Sequence, residues 1–222
     1  MNDQNLKDLF YKEVKRERIS GLYIKHEKLQ NFSLLDTTIE NCHFKNVSFC
    51  DSRLTNCDFY NCVFEDCLLK DTSFMYSEIS YSIFEDCDFK SALVSESRLH
   101  YNNFKNCNFG LALFPNTLLS DQTFRACTPN WNSKELLLAM LEEHITWATV
   151  SVQTIAWIQW AASKYSGCWS NILAHLPEDA LREGIELLYK LYKNDPRKVK
   201  PANYRMRNMF EAYDQGEEGW KL

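Results

Sequence analysis

The sequence lacks the short motifs that mark most cofactor sites and many enzyme active sites. Its six glycines form no phosphate-binding loop, and it has no His-Glu-x-x-His and no Cys-x-x-Cys pair. These absences argue against a P-loop NTPase, a zinc protease and a structural zinc site. The five histidines have no carboxylate or cysteine partner evident in the sequence. We therefore expect a protein that is not an enzyme and that holds no cofactor and no metal.

The N-terminus lacks the apolar segment of a secretory signal, since residues 1–8 are almost entirely polar. Nine cysteines without such a signal indicate a reducing compartment and free thiols rather than disulfides. The expected location is the bacterial cytoplasm, with export as an effector left open. Cys168 could be a nucleophile in principle, but a lone cysteine favours a structural role.

What the sequence has instead is a repeat of five residues. From Leu29 to Phe124, all twenty residues at this spacing are Leu, Ile, Val or Phe. Two positions before each of them, from Thr37 to Thr117, every side chain is small except that of Asn102. A period of five fits neither a helix nor a flat strand. It predicts a chain that turns a corner every five residues and points two side chains inward, and Asn102 then indicates a local polar requirement.

A longer period of twenty residues is superimposed on the first. Phe64-Glu-Asp-Cys-Leu-Leu69, Phe84-Glu-Asp-Cys-Asp-Phe89 and Phe104-Lys-Asn-Cys-Asn-Phe109 are near copies of one another. Four sides per coil would place phenylalanines above one another in the interior. Seven of the nine cysteines would fall on the small inward column, where a thiol acts as a small apolar group.

This pattern resembles the pentapeptide-repeat family, whose fold is a right-handed quadrilateral β-helix. The resemblance implies a β-solenoid of about five coils over residues 24–128. Residues 1–23 are predicted to be a capping helix, with Leu6, Leu9 and Phe10 on its apolar stripe. A helix lying on a membrane surface is a less favoured interpretation of that segment.

Residues 129–222 are predicted to form a small bundle of three to four helices. One helix should start at Ser133, another should follow Pro177 and end at Asp195, and a last one should start near Asn203. No charged residue occurs from Ile145 to Ser163. Its polar residues and scattered tryptophans favour a buried helix over a membrane span.

Two outward-facing groups are candidate sites. The first is a patch for binding a protein partner, because exposed aromatic clusters are typical of interface hot spots; it comprises Tyr60, Tyr76, Tyr81, His100 and Tyr101. Scattered surface tyrosines, or tyrosines covered by the chain's own C-terminal segment, are the alternatives. The second is an acidic face of Glu65, Asp66, Glu85 and Asp86. Lys45 and Lys105 flank it, which favours a solvated face with compensating charges.

Two further groups have plainer interpretations. Outward leucines occur at Leu93, Leu111, Leu113 and Leu118. They are predicted to be covered by the C-terminal helices or, alternatively, to form a homodimer face. A basic cluster comprises Arg197, Lys198, Lys200, Arg205 and Arg207. It could bind phosphate or nucleic acid, but a solvated linker is the favoured interpretation.

The favoured function is that of a non-catalytic scaffold that presents a rigid surface to a protein partner. The resemblance implies two alternatives. One is a DNA mimic that modulates DNA gyrase, as the quinolone-resistance members are thought to be. The other is a secreted bacterial effector, or the substrate-binding module of one. Residues 29–127 hold thirteen Asp and Glu against seven Lys and Arg, which is a modest acidic excess. Direct binding of nucleic acid is not expected.

Overall fold

The computed structural model describes residues 17–145, 152–165, 169–201 and 204–216. The chain divides into two compact units between Leu136 and Leu137. The first unit holds the five-residue repeats and the second holds most of the helical residues. The predicted stripe of the N-terminal helix lies outside the described residues, as does Cys168.

The repeat unit is built from sixteen strands of three residues each, and the middle residue of every strand is buried. The first eight are β1 (Arg18–Ser20), β2 (Tyr23–Lys25), β3 (Ser33–Leu35), β4 (Thr38–Glu40), β5 (His43–Lys45), β6 (Arg53–Thr55), β7 (Asp58–Tyr60) and β8 (Val63–Glu65). The remaining eight are β9 (Ser73–Met75), β10 (Glu78–Ser80), β11 (Ile83–Glu85), β12 (Leu93–Ser95), β13 (Arg98–His100), β14 (Asn103–Lys105), β15 (Leu118–Ser120) and β16 (Thr123–Arg125).

Each strand but the last of its sheet pairs in parallel with the strand that follows it along the solenoid by one coil, as Ile79 does with Leu99. Sheet 1 has the order β1-β4-β7-β10-β13-β15, sheet 2 has β2-β5-β8-β11-β14-β16 and sheet 3 has β3-β6-β9-β12. Isolated bridges from Lys28 to Thr128 form the fourth side. This topology confirms the predicted parallel β-solenoid of about five coils, with twenty residues per coil.

The corners of the solenoid are left-handed residues. Every fifth residue from Gly21 to Ala126 has a positive φ, between 50° and 68°. Thirteen of the twenty-one that are not glycine are Asn or Asp, the residues that adopt this conformation at the lowest cost. The left-handed corner is thus the local reason why the chain turns once in five residues.

The small inward column also hydrogen-bonds the backbone of the preceding coil. The Cys87 thiol donates to the Phe64 carbonyl oxygen at 3.4 Å, and the Cys107 thiol donates to that of Phe84 at 3.4 Å. The hydroxyl of Ser82 accepts from the Cys62 amide at 3.0 Å. The inward thiols are therefore hydrogen-bond donors as well as the small apolar groups that the sequence predicted. Burial raises the pKa of the Cys57 thiol to about 11, which keeps it protonated.

Phenylalanines fill the interior beside this column. The rings of Phe64 and Phe84 stack with centroids 4.6 Å apart, and those of Phe84 and Phe104 lie 4.9 Å apart. Phe44 and Phe124 extend the ladder at either end. Parallel pairing in register places each ring directly over its copy one coil away, which confirms the predicted ladder.

The solenoid starts earlier than the sequence predicted. Strands β1 and β2 pair with β4 and β5, so residues from Arg18 onward belong to the repeat unit and not to a capping segment that ends at residue 23. The physical reason is that Ile19 and Ile24 occupy the same buried position as Leu29 at the same spacing of five residues.

Five helices are present among the described residues, where three to four were predicted. They are α1 (Lys134–Ile145), α2 (Val152–Lys164), α3 (Trp169–Leu173), α4 (Glu178–Asn194) and α5 (Tyr204–Asp214). The count differs because the short α3 precedes Pro177 as a separate element. The Ser133 hydroxyl accepts from the Leu136 amide at 3.5 Å, which confirms the predicted start of α1.

Helix α2 packs against α4 in the second unit. The helices approach closely at Gly184, where an added Cβ would lie 3.3 Å from a Leu173 methyl group and 3.4 Å from one of Ile158. Buried Asp195 ends α4 and accepts from the Val199 amide at 2.8 Å. Among the described residues, no helix combines the length and the apolar character needed to cross a bilayer.

Candidate functional site

The tyrosine patch lies on the outer face of sheet 1. Tyr60 is the last residue of β7, whereas Tyr81 and Tyr101 are the corner residues that follow β10 and β13. The rings of Tyr60 and Tyr81 meet edge to face at 5.5 Å, and those of Tyr81 and Tyr101 stack at 5.1 Å. The three side chains are thus one cluster.

The patch is open to solvent. Tyr60, Tyr81 and Tyr101 are 48%, 51% and 54% exposed. His100 is partly buried, and its Nδ1 lies 2.5 Å from the Ser120 hydroxyl. Ser80, the outward residue between Tyr60 and His100, is buried. The face therefore offers three exposed rings next to a small buried residue.

Tyr76 belongs to the same face but does not join the cluster. It is the corner residue at the other end of β10 and is 59% exposed. Strand β10 separates it from Tyr81, so the structure brings together four of the five predicted patch residues and places Tyr76 on the opposite rim.

Three of these tyrosines adopt a conformation that a bulky side chain rarely takes. Tyr76, Tyr81 and Tyr101 have φ values of 53°, 52° and 54°. Strained backbone at bulky residues concentrates at functional sites, and it costs about 1–3 kcal/mol per residue. The equivalent corners one and two coils before Tyr81 are Asn61 and Asn41, which hydrogen-bond each other at 2.8 Å. Tyrosine has no such local compensation at these corners.

Asn102 anchors the backbone beneath the patch. Its Oδ1 accepts from the Ser82 amide at 2.9 Å, and its Nδ2 donates to the Ile79 carbonyl at 2.8 Å and to Gln122 Oε1 at 3.1 Å. The side chain thus joins the corner at Tyr81 to the corner at Tyr101. This buried network is the polar requirement that the interrupted small column indicated.

Lysines pair with two of the four carboxylates of the predicted acidic face. Glu65 forms an ion pair with Lys45 at 2.7 Å, and Glu85 forms one with Lys105. The Lys45 ammonium holds the pKa of the Glu65 carboxyl below its usual value. Asp86 accepts from Asn106 at 2.5 Å, and Asp66 is an exposed corner residue. The geometry agrees with the interpretation as a solvated face with compensating charges.

Sequence reasoning missed two carboxylates that share the face with the patch. Asp58 and Glu78 are the first residues of β7 and β10, and they lie directly opposite each other in register. Asp58 points to the same side as Tyr60, because alternate residues of a strand share a face. The available signal was the spacing of two between Asp58 and Tyr60, combined with the period of twenty.

Among the other candidate groups, Lys200 and Arg207 of the basic cluster line one pocket with Tyr189 and Phe210. In the basic cluster, the Lys198 ammonium approaches the Lys193 carbonyl oxygen and the Arg207 guanidinium lies 5.9 Å from the centre of the Tyr204 ring. Of the outward leucines, Leu111, Leu113 and Leu118 are exposed and Leu93 is partly exposed within the repeat unit. Their cover by the C-terminal helices, or a homodimer face, stays a prediction. Within the ranges that the structure describes, no three His, Cys, Asp or Glu residues are placed to hold a metal ion.

The repeat unit is similar to proteins of known family and structure. Residues 33–71 and 52–90 match the family model described as pentapeptide repeats. Full-length QnrB1, a plasmid-mediated fluoroquinolone resistance protein, is 16% identical, with 52% of this chain and 80% of that chain covered and a TM-score of 0.25. Rfr23, a pentapeptide repeat protein from the cyanobacterium Cyanothece 51142, is 10% identical, with 55% and 97% covered and a TM-score of 0.26.

No curated protein matches the chain. The strand pairing, the left-handed corners and the matched residues agree on the nature of the first unit. Residues 33–90 are pentapeptide repeats, and the β-solenoid to which they belong is followed along the chain by a helical region.

Proposed function

We propose that this chain is a non-catalytic binding protein whose solenoid presents the tyrosine patch to a protein partner. The observation that carries the proposal is the cluster of exposed, mutually packed rings, two of them on left-handed corners. Tyrosine is enriched among interface hot spots because it brings a large amphipathic surface with few rotatable bonds.

The backbone under the patch suits this role. Hydrogen bonds join each coil to the next at every corner from Gly21 to Asn106, as between the Tyr81 amide and the His100 carbonyl oxygen at 3.1 Å. A surface that is ordered before binding loses little conformational entropy when a partner docks. The Asn102 network adds side-chain hydrogen bonds between the two tyrosine corners.

The alternative of a duplex-DNA mimic has less support from the surface. On the predicted acidic face, Glu65 and Glu85 are each paired with a lysine, which lowers the net negative charge that such a mimic would present there. The patch itself is aromatic rather than acidic.

The test compares three forms of the protein as bait in affinity capture from a lysate of the source cells, with quantitative mass spectrometry. They are the wild type, a triple variant with Tyr60→Ser, Tyr81→Ser and Tyr101→Ser, and the control Tyr23→Ser. Tyr23 is 56% exposed but lies on sheet 2, outside the patch. Proteins enriched by both the wild type and the control should be absent from the triple variant. An identical set of captured proteins for all three, with folding verified by circular dichroism, would refute the proposal.

A further inference from the structure

A groove runs along the outer face of sheet 1 beside the tyrosine patch. Two open depressions line up along the solenoid, and they share Asn56 and Asp58. Tyr76 and Glu78 line the larger depression. Because Tyr60 and Tyr81 stand at the other end of strands β7 and β10, the groove lies between aromatic side chains on its two sides.

The groove has an excess of negative charge. The carboxylates of Asp36, Asp58, Glu78 and Glu96 line it, and Arg98 is the only basic side chain among its lining residues. Asp36 and Glu96 accept hydrogen bonds from Asn56 at 2.6 Å and Asn116 at 2.7 Å. In the described part of the chain, none of the four carboxylates forms an ion pair within 4.0 Å.

Asp58 and Glu78 face each other without an ion pair to either among the described residues, although Arg98 lies opposite Glu78 on the next strand. They face each other across adjacent parallel strands, a placement that is destabilising for like charges. Burial, together with the negative charge of Glu78, raises the pKa of the Asp58 carboxyl above its usual value. The contrast with sheet 2 is direct, because Glu65 and Glu85 face each other in the same register and each has its own lysine.

We propose that this groove binds a cationic, extended segment of a protein partner, with an arginine or lysine side chain seated over Asp58 and Glu78. The inference rests on the proposed function and adds the chemistry of the partner. Neighbouring strands lie about 4.8 Å apart, so the two carboxylates are spaced to receive one guanidinium group. Guanidinium groups also pack on tyrosine rings, which Tyr76 and Tyr60 supply on either side.

The partner segment would supply the positive charge that Asp58 and Glu78 do not receive from an ion pair within the described part of this chain. An incoming cation relieves the repulsion between Asp58 and Glu78 in the way that Lys45 and Lys105 do for Glu65 and Glu85. Binding should therefore weaken as salt rises, because the groove is open to solvent and its charges are screened.

The test measures fluorescence anisotropy with two labelled heptapeptides at low salt. One carries arginine at the second, fourth and sixth positions and serine elsewhere, so that all three arginines share a face when the peptide is extended. The other has neutral citrulline in place of each arginine. We expect the wild type to bind the arginine peptide at least about tenfold more tightly than the citrulline peptide, which corresponds to about 1.4 kcal/mol.

Two double variants remove the same charge from different faces. The variant Asp58→Asn with Glu78→Gln should lose this preference, whereas Glu65→Gln with Glu85→Gln should keep it. Equal affinity of the wild type for the two peptides, or equal loss in both double variants, overturns the inference. If the tyrosine variants lose partner capture while Asp58→Asn with Glu78→Gln retains it, the cationic segment is refuted and the proposed function stands.

Discussion

Replacing Asn102 by alanine should destabilise the solenoid more than the loss of one small side chain would suggest. The asparagine is 1% exposed and makes three hydrogen bonds, to the Ser82 amide, the Ile79 carbonyl and Gln122 Oε1. Alanine leaves these buried groups without their partner in a packed interior. A buried polar group without its hydrogen bond costs about 1–3 kcal/mol, and partial relaxation around alanine brings the expected total to about 2–4 kcal/mol.

Asn102→Ser is the matched control for this prediction. A serine hydroxyl at the same position of other coils accepts from the amide twenty residues earlier, as Ser82 does from Cys62 at 3.0 Å and Ser97 does from Ser77 at 3.0 Å. Serine should thus keep the bond to the Ser82 amide, donate to the Ile79 carbonyl as Ser77 does to that of Leu54 at 3.4 Å, and lose only the contact with Gln122. We expect a cost of about 1 kcal/mol, the value of one net hydrogen bond.

The assay is urea denaturation followed by circular dichroism, with amide hydrogen exchange measured on peptides that cover residues 79–104. All six tryptophans lie at or beyond Trp131, so their fluorescence serves as a separate probe outside the repeats. Asn102→Ala should lower the midpoint and speed exchange around Ser82. A variant within about 0.5 kcal/mol of the wild type, with unchanged exchange, would show that the network contributes little.

Three further predictions concern the core, the corners and the groove. Phe84→Ala should cost about 3–5 kcal/mol in urea denaturation, because it removes the stacks with Phe64 and Phe104; a loss below about 1 kcal/mol would contradict the ladder as a stabilising element. Ala126→Asn should raise stability by about 0.5–1 kcal/mol, because Ala126 has a φ of 52° and asparagine tolerates that conformation better; a lower urea midpoint would refute this. Asp58→Asn should gain stability relative to the wild type as pH rises above 3.8. The reason is that the pKa of Asp58 is raised in the folded state, so ionisation of this carboxyl destabilises the folded wild type and has no counterpart in the variant. A stability difference that does not change with pH would exclude repulsion by Glu78.

The patch could be predicted from the sequence because residues twenty positions apart become neighbours in the solenoid. A residue and its copy twenty positions later must stack when the strands pair in register, so Tyr81 and Tyr101 had to meet. The polar requirement at Asn102 could be predicted in the same way, because one large polar residue in a column of small inward residues needs hydrogen-bond partners inside the coil. Its partners, Gln122 and Ile79, were not predictable, because side-chain rotamers choose among several backbone groups within reach.

The charges were harder to predict than the rings. Glu65 and Glu85 formed the most evident acidic group in the sequence, and the structure pairs both with lysines. Asp58 and Glu78 were not predicted as a site, although they face each other and neither forms an ion pair with another described residue. Pairing depends on how far flexible side chains reach across coils, and the sequence period does not specify this reach.

The sequence alone determined the coil, its length of twenty residues and its interior of phenylalanines and small residues. The inward positions recur at a fixed spacing along the chain, so they can be recognised without knowing any contact between distant residues. Only the tertiary structure decided where the solenoid begins, which corners are strained and which carboxylates remain without a cation. Those properties arise between coils and at the ends of side chains, where the outcome depends on three-dimensional distance and not on order along the chain.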